Sequence, residues 1–191
     1  YLDDDLCLAW YAGNHRQPKL QSAITSILRA LIPRNESVVT FGSSGGGFAA
    51  LYYASRLPQS TAVPVNPQTN LASYLPSAVE RYGRLAWRVG SGGGTDVLSA
   101  IPATTDLVKR FRRPNPCKVF YVQNKNDRSH VTRQFDPFMK ALPNSHYVYP
   151  LVLEGEGGHV PPPKRQVRAI LASAIDGRST PPTTASLARL C

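Results

Sequence analysis

Ser37-Val-Val-Thr-Phe-Gly-Ser-Ser-Gly-Gly-Gly-Phe-Ala-Ala-Leu-Tyr-Tyr-Ala-Ser-Arg56 is the stretch that decides how this chain reads. Its opening, Ser37–Phe41, is a short β-branched run of the kind that forms buried strands. Its close, Phe48–Arg56, reads as a helix that stops before Pro58. Between them Gly42-Ser43-Ser44-Gly45-Gly46 fits G-x-S-x-G with Ser44 at the centre. So tight a strand-to-helix turn forces strained dihedrals on the central serine. Glycines two positions to either side are expected because side chains there would collide with the neighbouring strand and helix. The turn would lift the Ser44 hydroxyl above the sheet edge. It would also aim the Gly45 amide at the same spot, from a helix N-terminus that favours negative charge. A glycine-rich turn with an N-capping serine, or a phosphate cradle, competes with this reading. The cradle fits poorly: G-x-x-x-x-G-K-[ST] is absent, the glycines miss G-x-G-x-x-G, and the next strand pattern ends in Asn66 rather than a carboxylate.

Outward from this turn, strand and helix patterns alternate. Leu6–Tyr11 is a continuous apolar run, the pattern of a strand buried on both faces. Lys19–Leu31 reads as a helix stopped by Pro33, and Thr61–Val65 as a strand in which Pro64 must sit near an end or a bulge. Lys118–Gln123 and Tyr147–Leu153 read as further strands, with helices over Phe135–Leu142 and Gln166–Ile175. Residues 70–115 break the rhythm with helical patterns over Leu71–Trp87 and Val97–Phe111 and seven Lys/Arg against three acids. The expectation is an α/β fold: a mainly parallel sheet of about five strands with helices on both faces. Residues 1–176 form its domain, 70–115 a helical insertion serving as a lid, and 177–191 a flexible tail.

Composition bounds the partners. With 191 residues, 42% hydrophobic and 18% charged, the chain can bury one core and is no disordered segment. No uncharged apolar run approaches the roughly 18 residues of a membrane span. The net charge of +10 raises the question of nucleic acid, but the cations are scattered. Only Arg110, Arg112 and Arg113 cluster, and no basic stripe interleaved with aromatics is present, so no nucleic-acid partner is expected. Cys7, Cys117 and Cys191 make neither a disulfide framework nor a zinc spacing, and nothing calls for a metal or an organic cofactor. Asn35-Glu36-Ser37 matches a glycosylation sequon, a motif too short to carry weight. The chain opens on Tyr1 without a leader pattern, and the expectation is a fragment of a cytoplasmic protein whose N-terminal strands are missing.

A nucleophilic serine needs a base, and the four histidines are His15, His130, His146 and His159. His159 follows the last strand pattern in Glu154-Gly-Glu-Gly-Gly-His-Val-Pro-Pro-Pro, where glycines let the loop swing back and prolines fix its exit. His130 competes with it, or lines the substrate pocket instead; His15 and His146 read as surface residues. The acid belongs in the turn after the preceding strand, where Asp127 is the one carboxylate, with Asp136 as fallback. Ser44, Asp127 and His159 then stand in the order serine, acid, histidine, each at the C-terminal end of a parallel strand, the edge where open α/β sheets bind ligands.

On these motifs the chain resembles the α/β-hydrolase superfamily over residues 6–176. Phe41–Leu51, Asn66-Pro-Gln-Thr and Tyr121-Val-Gln-Asn-Lys-Asn-Asp are further similar to bacterial hydrolase-like proteins linked to surface polysaccharides and glycoprotein export. The resemblance implies a serine esterase or acyltransferase on small-molecule or glycan esters: Ser44 as nucleophile, His159 as base, Asp127 as acid and the Gly45 amide as one oxyanion donor. It departs at the front, because only one strand pattern precedes the elbow strand. The second oxyanion donor then comes from upstream sequence or from the Tyr11–Asn14 turn, at Gly13. Ser43, His130 and Trp87 are the expected substrate contacts, and Tyr74, Tyr82 and Trp87 would pack on a sugar or acyl chain unless they are core. The competing reading is a non-catalytic glycan- or protein-binding module on the same fold.

Overall fold

Short apolar runs, each followed by a helix, return successive strands in the same direction, which makes neighbouring strands parallel. The computed structural model describes residues 9–89, 96–143 and 147–190. In chain order the elements are α1 (Leu20–Leu31), β1 (Val38–Ser43), α2 (Gly45–Ala54), β2 (Ser60–Val65), α3 (Pro76–Trp87), α4 (Asp96–Ser99), α5 (Leu107–Phe111) and β3 (Lys118–Asn124). There follow α6 (Arg128–His130), a π-helical turn Val131–Phe135, α7 (Asp136–Ala141), β4 (Val148–Leu153), α8 (Lys164–Ile175) and α9 (Thr184–Ala188). The sheet is four-stranded and wholly parallel, in the order β1-β2-β3-β4.

Alternation along the central strands sends side chains to two separate cores. Ala62, Val119 and Tyr121 point to one face, which α2, α3, α4 and α5 cover. Val63, Val65, Phe120 and Val122 point to the other, under Ile170 and Ala174 of α8 and Leu187 of α9. Pro64 lies at the penultimate position of β2; Asn66 N–H two residues on donates to Val122 of β3, so the N–H that Pro64 lacks would also face β3, and the pairing skips there from Ala62↔Val119 to Val65↔Val122. Among the described residues no helix is long and apolar enough to cross a membrane.

Several expectations are corrected. The sheet has four strands rather than five among the described residues. Of the expected strand Leu6–Tyr11, residues 6–8 lie outside the described residues, and Trp10 and Tyr11 form a turn with φ of 49° and 52°. Trp10 is buried by packing edge-on against Tyr74 and Tyr82, which explains an apolar run that is no strand there. The described residues of 70–115 contribute Leu71, Val79, Tyr82, Leu107 and Phe111 to the first core, while Ser73, Tyr74 and Leu75 line a cleft. Their helical patterns break into a 3₁₀ turn at Leu71–Ser73, α3, α4 and α5. The supposed tail carries α9, whose Leu187 is 1% exposed against the second core and whose carbonyl accepts from Gln166 Nε2. His146, Cys7 and Cys191 lie outside the described residues.

Candidate active site

Ser44 stands between β1 and α2 with φ 54° and ψ −117°, a backbone state that β-branched or bulky residues avoid. Its N–H donates to the Val65 carbonyl at 2.9 Å, tying the turn to the end of β2. Its carbonyl accepts from Phe48 N–H, the first bond of the following helix, and from Gln68 N–H. The side chain does not cap α2, so the N-capping alternative fails, and Oγ is left available above the strand ends. Ser43, the last residue of β1, is exposed beside it. Gly45 is the buried first residue of α2, the helix end that favours negative charge.

Asp127 caps the short α6, where its Oδ1 accepts from His130 N–H at 3.2 Å. Its other oxygen, Oδ2, receives two imidazoles: His159 Nδ1 at 2.6 Å and His130 Nδ1 at 3.2 Å. A carboxylate only accepts, so both rings carry a proton on Nδ1, the nitrogen that faces Asp127. The two rings stack, with centroids 3.9 Å apart and planes within 15°. Asp127 and His130 are buried, whereas the His159 side chain remains 35% accessible. Burial first, and the neighbouring His159 second, lower the His130 pKa from its ordinary value, against the opposing pull of Asp127. His130 Nε2 is buried without a hydrogen-bond partner.

Amides stitch these parts together. Asn66 follows β2 in a left-handed conformation (φ 41°), and its Oδ1 accepts from Asn124 N–H at 2.7 Å. Its Nδ2 donates to the carbonyl of Val160, the residue after His159. Asn124 Nδ2 reaches the Glu156 carbonyl at 2.8 Å and lies near those of Gly158 and Val160. The histidine loop is therefore pinned to the ends of β2 and β3, next to the serine turn. Among the described residues no hydrogen bond joins Ser44 to His159; the side-chain partner of Ser44 Oγ is Gln68 Nε2, at 2.8 Å. A cleft of about 430 Å³ opens beside the imidazoles, lined among others by Tyr74, Arg128, His130, Arg133 and His159.

Sequence expectations thus divide. Asp127, His130 and His159 are brought together, and Ser44 has the expected elbow backbone. Trp87 is corrected: it is 8% exposed and packs in the first core, because the apolar face of α3 turns inward. Tyr82 is likewise core, and its hydroxyl donates to the Gly13 carbonyl at 2.9 Å. A Cβ on Gly13 would meet the Gln17 carbonyl oxygen, and from the same turn Trp10 Nε1 donates to Gln68 beside the elbow. Arg110 is directed at Ser55, to whose carbonyl its Nη2 donates, rather than toward a ligand. Asn66, Gln68 and Asn124 carry no assigned role in the sequence reading, although the amide-rich turns after two strand patterns are the available signal. Asp127, His130 and His159 are close enough, within 4.8 Å, to hold a metal ion, but hydrogen bonding to one carboxylate already accounts for their arrangement.

No protein-family model matches the chain, and no curated protein matches it. Among solved structures it is similar to the capsule O-acetyltransferase of Neisseria meningitidis serogroup A, with a TM-score of 0.52 and 19% identity over 80% of this chain and 62% of that one. A mutant of that enzyme in complex with CoA gives a TM-score of 0.48 and 17% identity over 77% of this chain and 61% of that one. The chain spans less than two thirds of the length of these proteins, and at such identity the likeness is one of fold.

Proposed function

We propose that this chain is a serine acyltransferase or esterase of the α/β-hydrolase type, acting on carboxylic esters through Ser44, His159 and Asp127. The observation that carries the reading is the Ser44 elbow, strained and uncapped, with an acid–imidazole pair following neighbouring strands at the same sheet edge. The fold likeness to an enzyme named as an O-acetyltransferase of a capsule favours acylated glycans as the substrate class.

In the proposed reaction His159 Nε2 takes the proton from Ser44 Oγ, and Oγ attacks the carbonyl carbon. The Gly45 amide receives the developing oxyanion. The tetrahedral intermediate collapses to an acyl-serine as the alcohol leaves with the proton from His159. Water or a sugar hydroxyl then gives its proton to His159 and attacks the acyl carbon, which releases Ser44. Asp127 holds His159 in the Nδ1–H tautomer and stabilises the imidazolium. The serine–imidazole bond forms as substrate binds, since such bonds are often long in the resting site. Gly158 takes φ 88° in the loop before His159, a conformation that glycine adopts without steric cost.

Hydrolysis of an activated acetyl ester tests this. S44A reduces turnover to the buffer rate, and D127N, which leaves the shape intact, lowers kcat by about 10³–10⁴ through the wrong tautomer. Equal turnover in folded S44A would instead favour the binding-module reading.

A further inference from the structure

We infer that Gln68 supplies the second oxyanion donor of this site, with Trp10 locking its amide in the donating orientation. The inference rests on Ser44 as nucleophile. Gln68 is 0% exposed and Trp10 2%, so both groups are held out of water. Trp10 Nε1–H donates to Gln68 Oε1 across 58 positions of sequence. An indole nitrogen can only donate, so the amide oxygen must face Trp10. The NH₂ end is thereby obliged to face Ser44, and Nε2 donates to Oγ at 2.8 Å. The Gln68 main chain reinforces the contact, its N–H donating to the Ser44 carbonyl at 3.2 Å.

The chemistry follows from this orientation. An Oγ that accepts from Gln68 keeps its own proton for a base. As that proton leaves, a fixed neutral dipole already points at the growing negative charge, with no water to reorganise. Once Oγ bonds to the acyl carbon, the oxyanion is attached to that same carbon. The second N–H of the amide, which has no partner among the described residues, then meets it alongside the Gly45 amide. This donor comes after β2, where an amide N–H from an earlier strand loop was expected, and the 9–14 turn contributes through its indole. Proton count and charge are unchanged by the contact, so no titration is involved.

Steady-state kinetics on an activated acetyl ester, with thermal melts as fold control, test the inference. Q68A lowers kcat by about 10²–10³ with KM within about threefold of wild type, the cost of one oxyanion donor. Q68M, similar in reach and without a donor, reads the same loss if the alanine variant does not fold. W10F keeps Gln68 but frees its amide to flip; it lowers kcat by about tenfold, less than outright removal of a donor. A folded Q68A or Q68M within about threefold of wild-type kcat overturns the inference while leaving the nucleophile in place. Wild-type turnover that survives S44A overturns the nucleophile, and this inference with it.

Discussion

Ser44 is confined by glycines that do different work. A Cβ on Gly42 would lie 2.2 Å from the Gly46 carbonyl oxygen, and one on Gly47 would lie 2.7 Å from Pro67 Cβ. A Cβ on Gly46 would meet nothing within 4 Å. The G-x-S-x-G pattern pointed to Gly42 and Gly46; the second steric limit in fact falls on Gly47. Gly42→Ala should therefore unfold the turn or depress the melting temperature sharply. Gly46→Ala, on the first turn of a helix, should gain about 0.5–1 kcal/mol by restricting the unfolded chain. Equal damage from both in thermal melts would contradict this account of the elbow. The placement of Ser44 at a strand-to-helix turn and of Asp127 and His159 after later strands was legible because order and strand ends constrain it. Gln68 was not, since its role depends on burial and on an indole distant in the chain. Trp87 was misread because an aromatic on an amphipathic helix has the same spacing whether it faces core or ligand.

The segment α6, π turn and α7 carries the acid and the second imidazole. It begins at Arg128, capped by Asp127, seven residues before the helix that periodicity suggests, because its apolar spacing is broken by the wider π turn. Buried His130 faces Asp127, His159 and Tyr74, whose own pKa burial raises. Because the folded pKa of His130 is lowered, the unfolded chain takes up its proton first as pH falls. Stability is then lost as pH drops below about 6.5, the ordinary histidine value, toward the folded pKa. Urea midpoints measured across that window should fall for wild type and fall less steeply for H130Q. Parallel slopes would mean that His130 is not held neutral by burial. The strands themselves were legible from β-branched and apolar runs. Leu187 was not, since one leucine among Thr, Ser and Pro shows no period before the second core is known.

At the scale of the molecule, two cores on opposite faces fix four parallel strands. Their common C-terminal edge receives a serine after β1, an amide pair after β2, an acid after β3 and an imidazole after β4. One edge thus collects groups from four separate connections. The most direct measurement of whether they act together is peptide mapping by mass spectrometry after treatment with a fluorophosphonate. The account predicts one adduct per chain, on the Ser44 hydroxyl, absent in S44A and formed far more slowly in H159Q. A folded chain that takes no adduct, or takes it elsewhere, contradicts it.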